Sequence, residues 1–175
     1  MTHGRVRNRI IVVNPGNHPE LDQFAISLAS AGIETRLISS LRFTESRIPA
    51  GFRILPTRLL ADLRARRTID APPGLKVINA AAYAELAFLA SQRSARLETQ
   101  ARALRIRNSI VGLVALLHFL WARADVLVVQ LGAATRTVRL AARRGSTIVV
   151  NCPLPHGSTI STNARRYREL YGVGV

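Results

Sequence analysis

The strongest constraint on what this chain can fold into is the alternation in its last third. From Ala124 the sequence runs ADVLVVQLGAATRTVRLAARRGSTIVVNCPLPHG. The run Val126-Leu127-Val128-Val129 is continuously apolar, as a strand covered on both faces requires. Leu131-Gly132-Ala133-Ala134 makes a small-residue turn. Thr135 to Arg144 reads as a helix, with Val138, Leu140 and Ala141 toward one side and arginines toward the other. Gly145 is placed to end that helix in a left-handed conformation. Thr147 to Val150 reads as a second buried strand. The unit is a βαβ crossover, and the loops at the strand C-termini are where open α/β sheets bind ligands.

The N-terminus repeats the pattern. Arg9 to Val13 reads as a buried strand and Asn14-Pro15-Gly16-Asn17-His18-Pro19 as a turn. Leu21, Phe24, Ala25, Leu28 and Ala29 form the stripe of an amphipathic helix that ends at Gly32. Ile33 to Ser39 reads as the next strand. Between the two units, Arg42 to Phe52 reads as a loop and Leu55 to Arg67 as a helix with Leu59, Leu60 and Leu63 on one side. Ala71-Pro72-Pro73-Gly74 breaks the chain before a short strand, Leu75 to Ile78. Ala81 to Gln92 and Arg96 to Ala122 read as helices, the second either continuous or broken near Asn108-Ser109. A chain that opens and closes with βαβ predicts an α/β fold, a Rossmann-like doubly wound parallel sheet. Its 175 residues suffice for one domain with a full core.

Four motifs in this order resemble the N-terminal domain of a GT-B-fold glycosyltransferase of the family 4 type. The first is the opening RIIVVNPGNHPELDQFAISLASAG. The second is the strand at Ala124-Asp125-Val126 with its Gly turn, where the family has "aD-hhh-x-x-g". The third is the helix Arg136 to Arg144 with Gly145, similar to "A-x-x-x-G". The last is Asn151-Cys152-Pro153-Leu154-Pro155-His156, similar to "d-x-P-x-x-H". The resemblance implies hexosyl transfer from a nucleotide-sugar to an acceptor, with residues 1–175 as the acceptor-side half. It implies no obligate metal and no cofactor beyond the nucleotide-sugar co-substrate. That donor would bind mainly in a second, C-terminal domain or partner chain, whose E-x7-E motif does not occur after the last strand here.

By that resemblance His156 is the expected catalytic residue. Gly16, Asn17 and His18 in the first loop, with Gln130, Gly132 and Thr135 in the turn after Val129, are the expected substrate-binding residues. A glycine at a strand-to-helix turn admits a ligand to free helix N–H groups. The alternative for Gly16 is a plain turn glycine. The full G-x-G-x-x-G is absent from N-P-G-N-H-P-E, which argues against a dinucleotide site. Both histidine-bearing loops open at the C-terminal edge of the sheet, so His18 and His156 are expected to face one cleft, where an imidazole can bind a hydroxyl or move a proton. His118, inside an apolar helix, reads as a core histidine. Asp125 reads as a junction cap. Ser158 to Asn163 supplies an N-cap for a last helix. The histidine spacing suits no metal site.

The net charge of +15 points to a polyanion, but Lys76 is the single lysine. Arginine usage so lopsided commonly reflects G+C-rich coding, which says nothing of partners. Three clusters remain: Arg64, Arg66 and Arg67; Arg93, Arg96, Arg102, Arg105 and Arg107; and Arg165, Arg166 and Arg168. They read either as solvated helix faces or as attraction to an anionic membrane surface. Nucleic acid is not expected: recognition motifs are absent, and 5% aromatics are too few for a stacking platform. The lone Cys152 excludes a disulfide framework within the chain and suits a reducing cytoplasm, with peripheral attachment at the inner membrane face as the associated expectation. It reads as an inert thiol. No secretory h-region is visible. Ile110 to Trp121 is shorter than the ~20 residues of a membrane span and reads as a buried central helix, with an interfacial helix as the alternative. Two rival functions stand beside glycosyl transfer: a non-catalytic Rossmann-like module docking on an anionic surface or partner chain, and a different nucleotide-binding protein.

Overall fold

Alternating side chains on five short apolar strands build the molecule outward from its centre. The computed structural model describes residues 9–16, 18–45, 52, 55–93, 96–130 and 133–151. Strand β1 (Arg9–Asn14) leads into α1 (Pro19–Ser30) and β2 (Glu34–Ser39). Helix α2 (Thr57–Arg67) precedes β3 (Leu75–Asn79). Helices α3 (Ala82–Ser91) and α4 (Leu97–Ala122) follow. The last elements are β4 (Val126–Gln130), α5 (Thr135–Arg143) and β5 (Thr147–Asn151). All pairings are parallel, and the sheet order is β3-β2-β1-β4-β5.

Successive residues of a strand point to opposite faces. In β1, Ile11 and Val13 join Val111, Ala115 and Phe119 of α4 in one core. Ile10 and Val12 join Leu21, Ala25 and Ala29 of α1 in the other. A third cluster, Leu41, Phe43, Phe52 and Leu63, fills the space beside α2. The chain winds from β1 through β2 to β3, then returns over α3 and α4 to β4 on the far side of β1. The strand order therefore reverses between β1 and β4, the place where open α/β sheets leave a crevice.

Several local expectations change in three dimensions. Helix α4 is one unbroken element of 26 residues. Asn108 and Ser109 lie within it, because propagating a helix costs little once it has nucleated. It is also not buried all round. Val111, Ala115 and Phe119 pack inward, while Leu113, Leu117 and Trp121 face outward, Trp121 at 83% exposure. By length and composition α4 could cross a membrane, yet its packed face touches α3, α5, β1 and β2. Strand β5 is not covered on both faces. It is the sheet edge, with Val149 and Val150 at 43% and 47% exposure. On α1, Phe24 turns outward and Asp22 inward; on α2, Leu59 is exposed and Leu63 buried. Asp125 does not cap the helix–strand junction in the described structure; its Oδ2 accepts the Arg9 backbone N–H at 2.9 Å and so ties the start of β4 to the start of β1.

Candidate functional site

The crevice opens where the loops after β1 and β4 meet. Pro19 occupies the first turn of α1, where its missing N–H costs nothing, and His18 stands just before it. A Cβ placed on Gly16 would lie 2.8 Å from His18 Nε2 and 3.7 Å from Gln130 Oε1. Glycine leaves room here for the His18 ring and does not relieve a left-handed backbone. On the other loop, the Ala133 N–H donates to the Gln130 carbonyl at 3.0 Å. Ala134 sits at φ +52, a strained conformation for a residue with a Cβ. It presents the exposed Thr135 at the start of α5. The structure thus brings together Gly16, His18 and Gln130, whereas Thr135 lines a cavity between α4 and α5. Asn17, Gly132 and His156 lie outside the described residues, as do His3, Cys152, the run from Ser158 to Asn163, and Arg165, Arg166 and Arg168.

Beneath the β1 loop lies a buried polar network that periodicity did not reveal. Asn14 Nδ2 donates to the His18 carbonyl at 3.0 Å and to Asp22 Oδ1 at 2.9 Å. Arg42 Nε donates to Asp22 Oδ2 at 2.9 Å, and its Nη2 donates to the Gly16 carbonyl at 3.0 Å. Asn79 clamps the Arg42 backbone, accepting its N–H at 2.6 Å and donating to its carbonyl at 2.8 Å. The Arg42 side chain has no exposed surface. Burial lowers its pKa, and the adjacent Asp22 carboxylate offsets that only in part. The network ties the Gly16 and His18 carbonyls to Arg42 and Asn14, which fixes these two backbone positions against α1. A readable signal existed for Asp22, which shares the Ala25 and Ala29 face of α1 at i, i+3, i+7. For Arg42 the only hint was its place between Leu41 and Phe43.

The arginine clusters are not wholly solvated. Arg67 and Arg107 converge from α2 and α4 on Glu85 of α3, at 2.6 Å and 3.1 Å, and Glu85 is fully buried. Arg107 also lies over the Phe88 ring at 4.6 Å. These guanidiniums hold the helices together. His118 is half-buried, with Nδ1 3.5 Å from Arg36 Nη1. Burial, and then the Arg36 charge, lower its pKa.

Buried Asn14 Oδ1 at the end of β1, and Ser39 Oγ and Ser40 Oγ at the end of β2, lack a hydrogen-bond partner among the described residues. Among the described residues, no cluster of His, Cys, Asp and Glu could hold a metal ion. A second cavity of about 590 Å³ runs between α4 and α5, lined by Asn108, Gly112, Leu116 and Thr135 among others. Compared with protein-family models and with curated proteins, the chain matches none.

Proposed function

We propose that this chain is the acceptor-side half of a glycosyl-transfer unit, holding a saccharide-bearing acceptor in the crevice between β1 and β4. The observation that carries the reading is the convergence of Gly16, His18 and Gln130 at the strand-order reversal, with Arg42 bonded to the Gly16 carbonyl. The reaction itself rests on the motif resemblance. In it, a further domain or partner chain supplies the nucleotide-sugar, and His156 serves proton transfer or acceptor binding. Catalysis of this kind works by positioning and charge stabilisation in a closed cleft. The test has two parts. Titrating the full chain with a panel of mono- and disaccharides should shift the backbone amide resonances of Gly16, His18 and Gln130. Source cells lacking the chain should lose a glycoconjugate that wild type restores and His156→Ala does not. Saturable binding of a free nucleotide with no saccharide response would instead identify a nucleotide-binding protein.

A second reading, docking on an anionic membrane, is favoured by α4. Ile106, Ile110, Leu113, Leu117, Leu120 and Trp121 form one exposed apolar stripe. At 1.5 Å per residue it runs for about 22 Å. Exposed Arg102 and Arg105 flank one end and Arg123 the other, and no Asp or Glu occurs between Glu98 and Asp125. An interfacial tryptophan within a basic frame suits anionic headgroups better than a second copy of so cationic a surface. Cosedimentation with phosphatidylglycerol vesicles, weakened by salt and by Trp121→Ser, is the expected result. Equal binding to phosphatidylcholine would exclude the charge component.

A further inference from the structure

We propose that a second pocket, between the start of α1 and the end of α2, is a phosphate-binding subsite. The cavity measures about 200 Å³ and is lined by Pro19, Asp22, Gln23, Arg42, Arg66, Arg67, Thr68 and Ile69. Three of those residues are arginines and one is an acid. The acid is already committed: Asp22 Oδ1 accepts from Asn14 and Oδ2 from Arg42. The next carboxylate inward, Glu85, is shared between Arg67 and Arg107.

The buried charges do not balance. Among the described residues, Arg42, Arg67 and Arg107 pair only with Asp22 and Glu85, and all five side chains are at least nine-tenths buried. An excess positive charge in a low-dielectric interior is unfavourable unless an anion accompanies it. The imbalance has an atomic address. Arg67 is 92% buried by side chain, and its Nη1 has no hydrogen-bond partner. Its 2.6 Å contact with Glu85 is an ion pair made through Nη2, outside hydrogen-bonding angles, which leaves the other arm of the guanidinium unused. A guanidinium fork matches two oxygens of a phosphate group. The cavity is large enough for that group, and Arg66, exposed at its rim and 3.5 Å from Asp62 in a solvated surface pair, adds a weak steering charge.

The subsite stands on the cavity and its charges alone and does not depend on the acceptor reading. It nonetheless adjoins that crevice, because Arg42 touches both the cavity and the Gly16 carbonyl. A ligand carrying both a phosphate and a sugar could bridge the two.

The experiment titrates the full chain with inorganic phosphate and, separately, with a hexose phosphate, at constant ionic strength maintained with chloride. Binding is read by calorimetry and by the Thr68 and Ile69 amide and Arg67 Nε resonances. Saturable one-to-one binding that shifts these resonances is expected. Arg67→Lys keeps a cation beside Glu85 but removes the free arm, and should weaken binding about ten- to a hundredfold, the value of a hydrogen bond to a charged group. Arg66→Gln, at the exposed rim, should weaken it only a few-fold and provides a second variant if Arg67→Lys fails to fold. Tighter binding of inorganic phosphate supports a free-anion site, and tighter binding of the ester supports a phosphorylated ligand. Absence of saturable binding by either, or resonance shifts confined to other regions, would overturn the subsite. Saccharide shifts at Gly16 and Gln130 report on the acceptor reading separately.

Discussion

Removing the Asp22 carboxylate should destabilise the protein out of proportion to the small side chain lost. Asp22→Ala leaves Arg42, whose side chain has no exposed surface, as a buried cation without its counter-ion. Breaking one partner of a buried pair costs about 3–5 kcal/mol. Asn14 Nδ2 keeps its bond to the His18 carbonyl, so its loss is on the order of 1 kcal/mol or less. The expected total, about 4 kcal/mol, is a large share of the roughly 5–15 kcal/mol that holds a domain together. Asp22→Asn preserves an acceptor for Arg42 and should cost about half as much, roughly 2 kcal/mol. The double variant Asp22→Leu/Arg42→Met replaces the pair with apolar volume and should be more stable than Asp22→Ala, although it orphans the Gly16 and Leu41 carbonyls that Arg42 serves. Urea unfolding followed by circular dichroism, with midpoint and slope fitted together, gives all three values. A cost for Asp22→Ala below about 1 kcal/mol would refute the reasoning, as would a double variant less stable than the single one.

Three other substitutions probe different parts of the fold. A Cβ on Gly112 would meet Ala134 Cα at 3.5 Å, an ordinary contact, so Gly112→Ala should raise the free energy of urea unfolding by about 0.5–1 kcal/mol through helix propensity, whereas Gly112→Leu should lower it by about 1–3 kcal/mol. Gly16→Ala places its methyl 2.8 Å from His18 Nε2. The imidazole resonances should therefore move while stability changes by less than about 1 kcal/mol, and unchanged imidazole shifts would contradict the packing described. His118 has its pKa lowered by burial and by Arg36. The unfolded state therefore binds the proton more readily, and stability rises with pH up to the ordinary imidazole value of about 6.5 and falls below it. His118→Gln should flatten that acid-side slope in thermal melts, and an unaltered slope would assign it to another group.

The periodic elements were legible in the residues themselves. Continuous apolar runs at Ile10–Val13 and Val126–Val129 gave central strands, and the Leu21, Ala25, Ala29 spacing gave α1. Proline before α1 and glycines after α1 and α5 marked turns, the glycines at φ +81 and +70. Where apolar pattern failed, neighbours decided. Val149 and Val150 read the same as Val128 and Val129, yet the former pair lies in the edge strand and the latter in an interior one. Half of α4 reads as core, but a helix on a sheet has only one face to bury, and the sheet cannot cover Leu117 or Trp121.

Of the candidate site, the two loops could be read, but the atoms that fix them could not. By itself the sequence determined the α/β alternation, the parallel pairing it entails and the sheet edge at which the loops open, because apolar periodicity and turn chemistry act over a few neighbouring residues. Tertiary structure alone decided which arginines are solvated and which are structural. Arg42 with Asp22, and Arg67 and Arg107 with Glu85, are brought together by elements far apart in the chain. A guanidinium carries no local mark of its fate. Whether it faces water or a carboxylate depends on where the packing of the apolar faces places it.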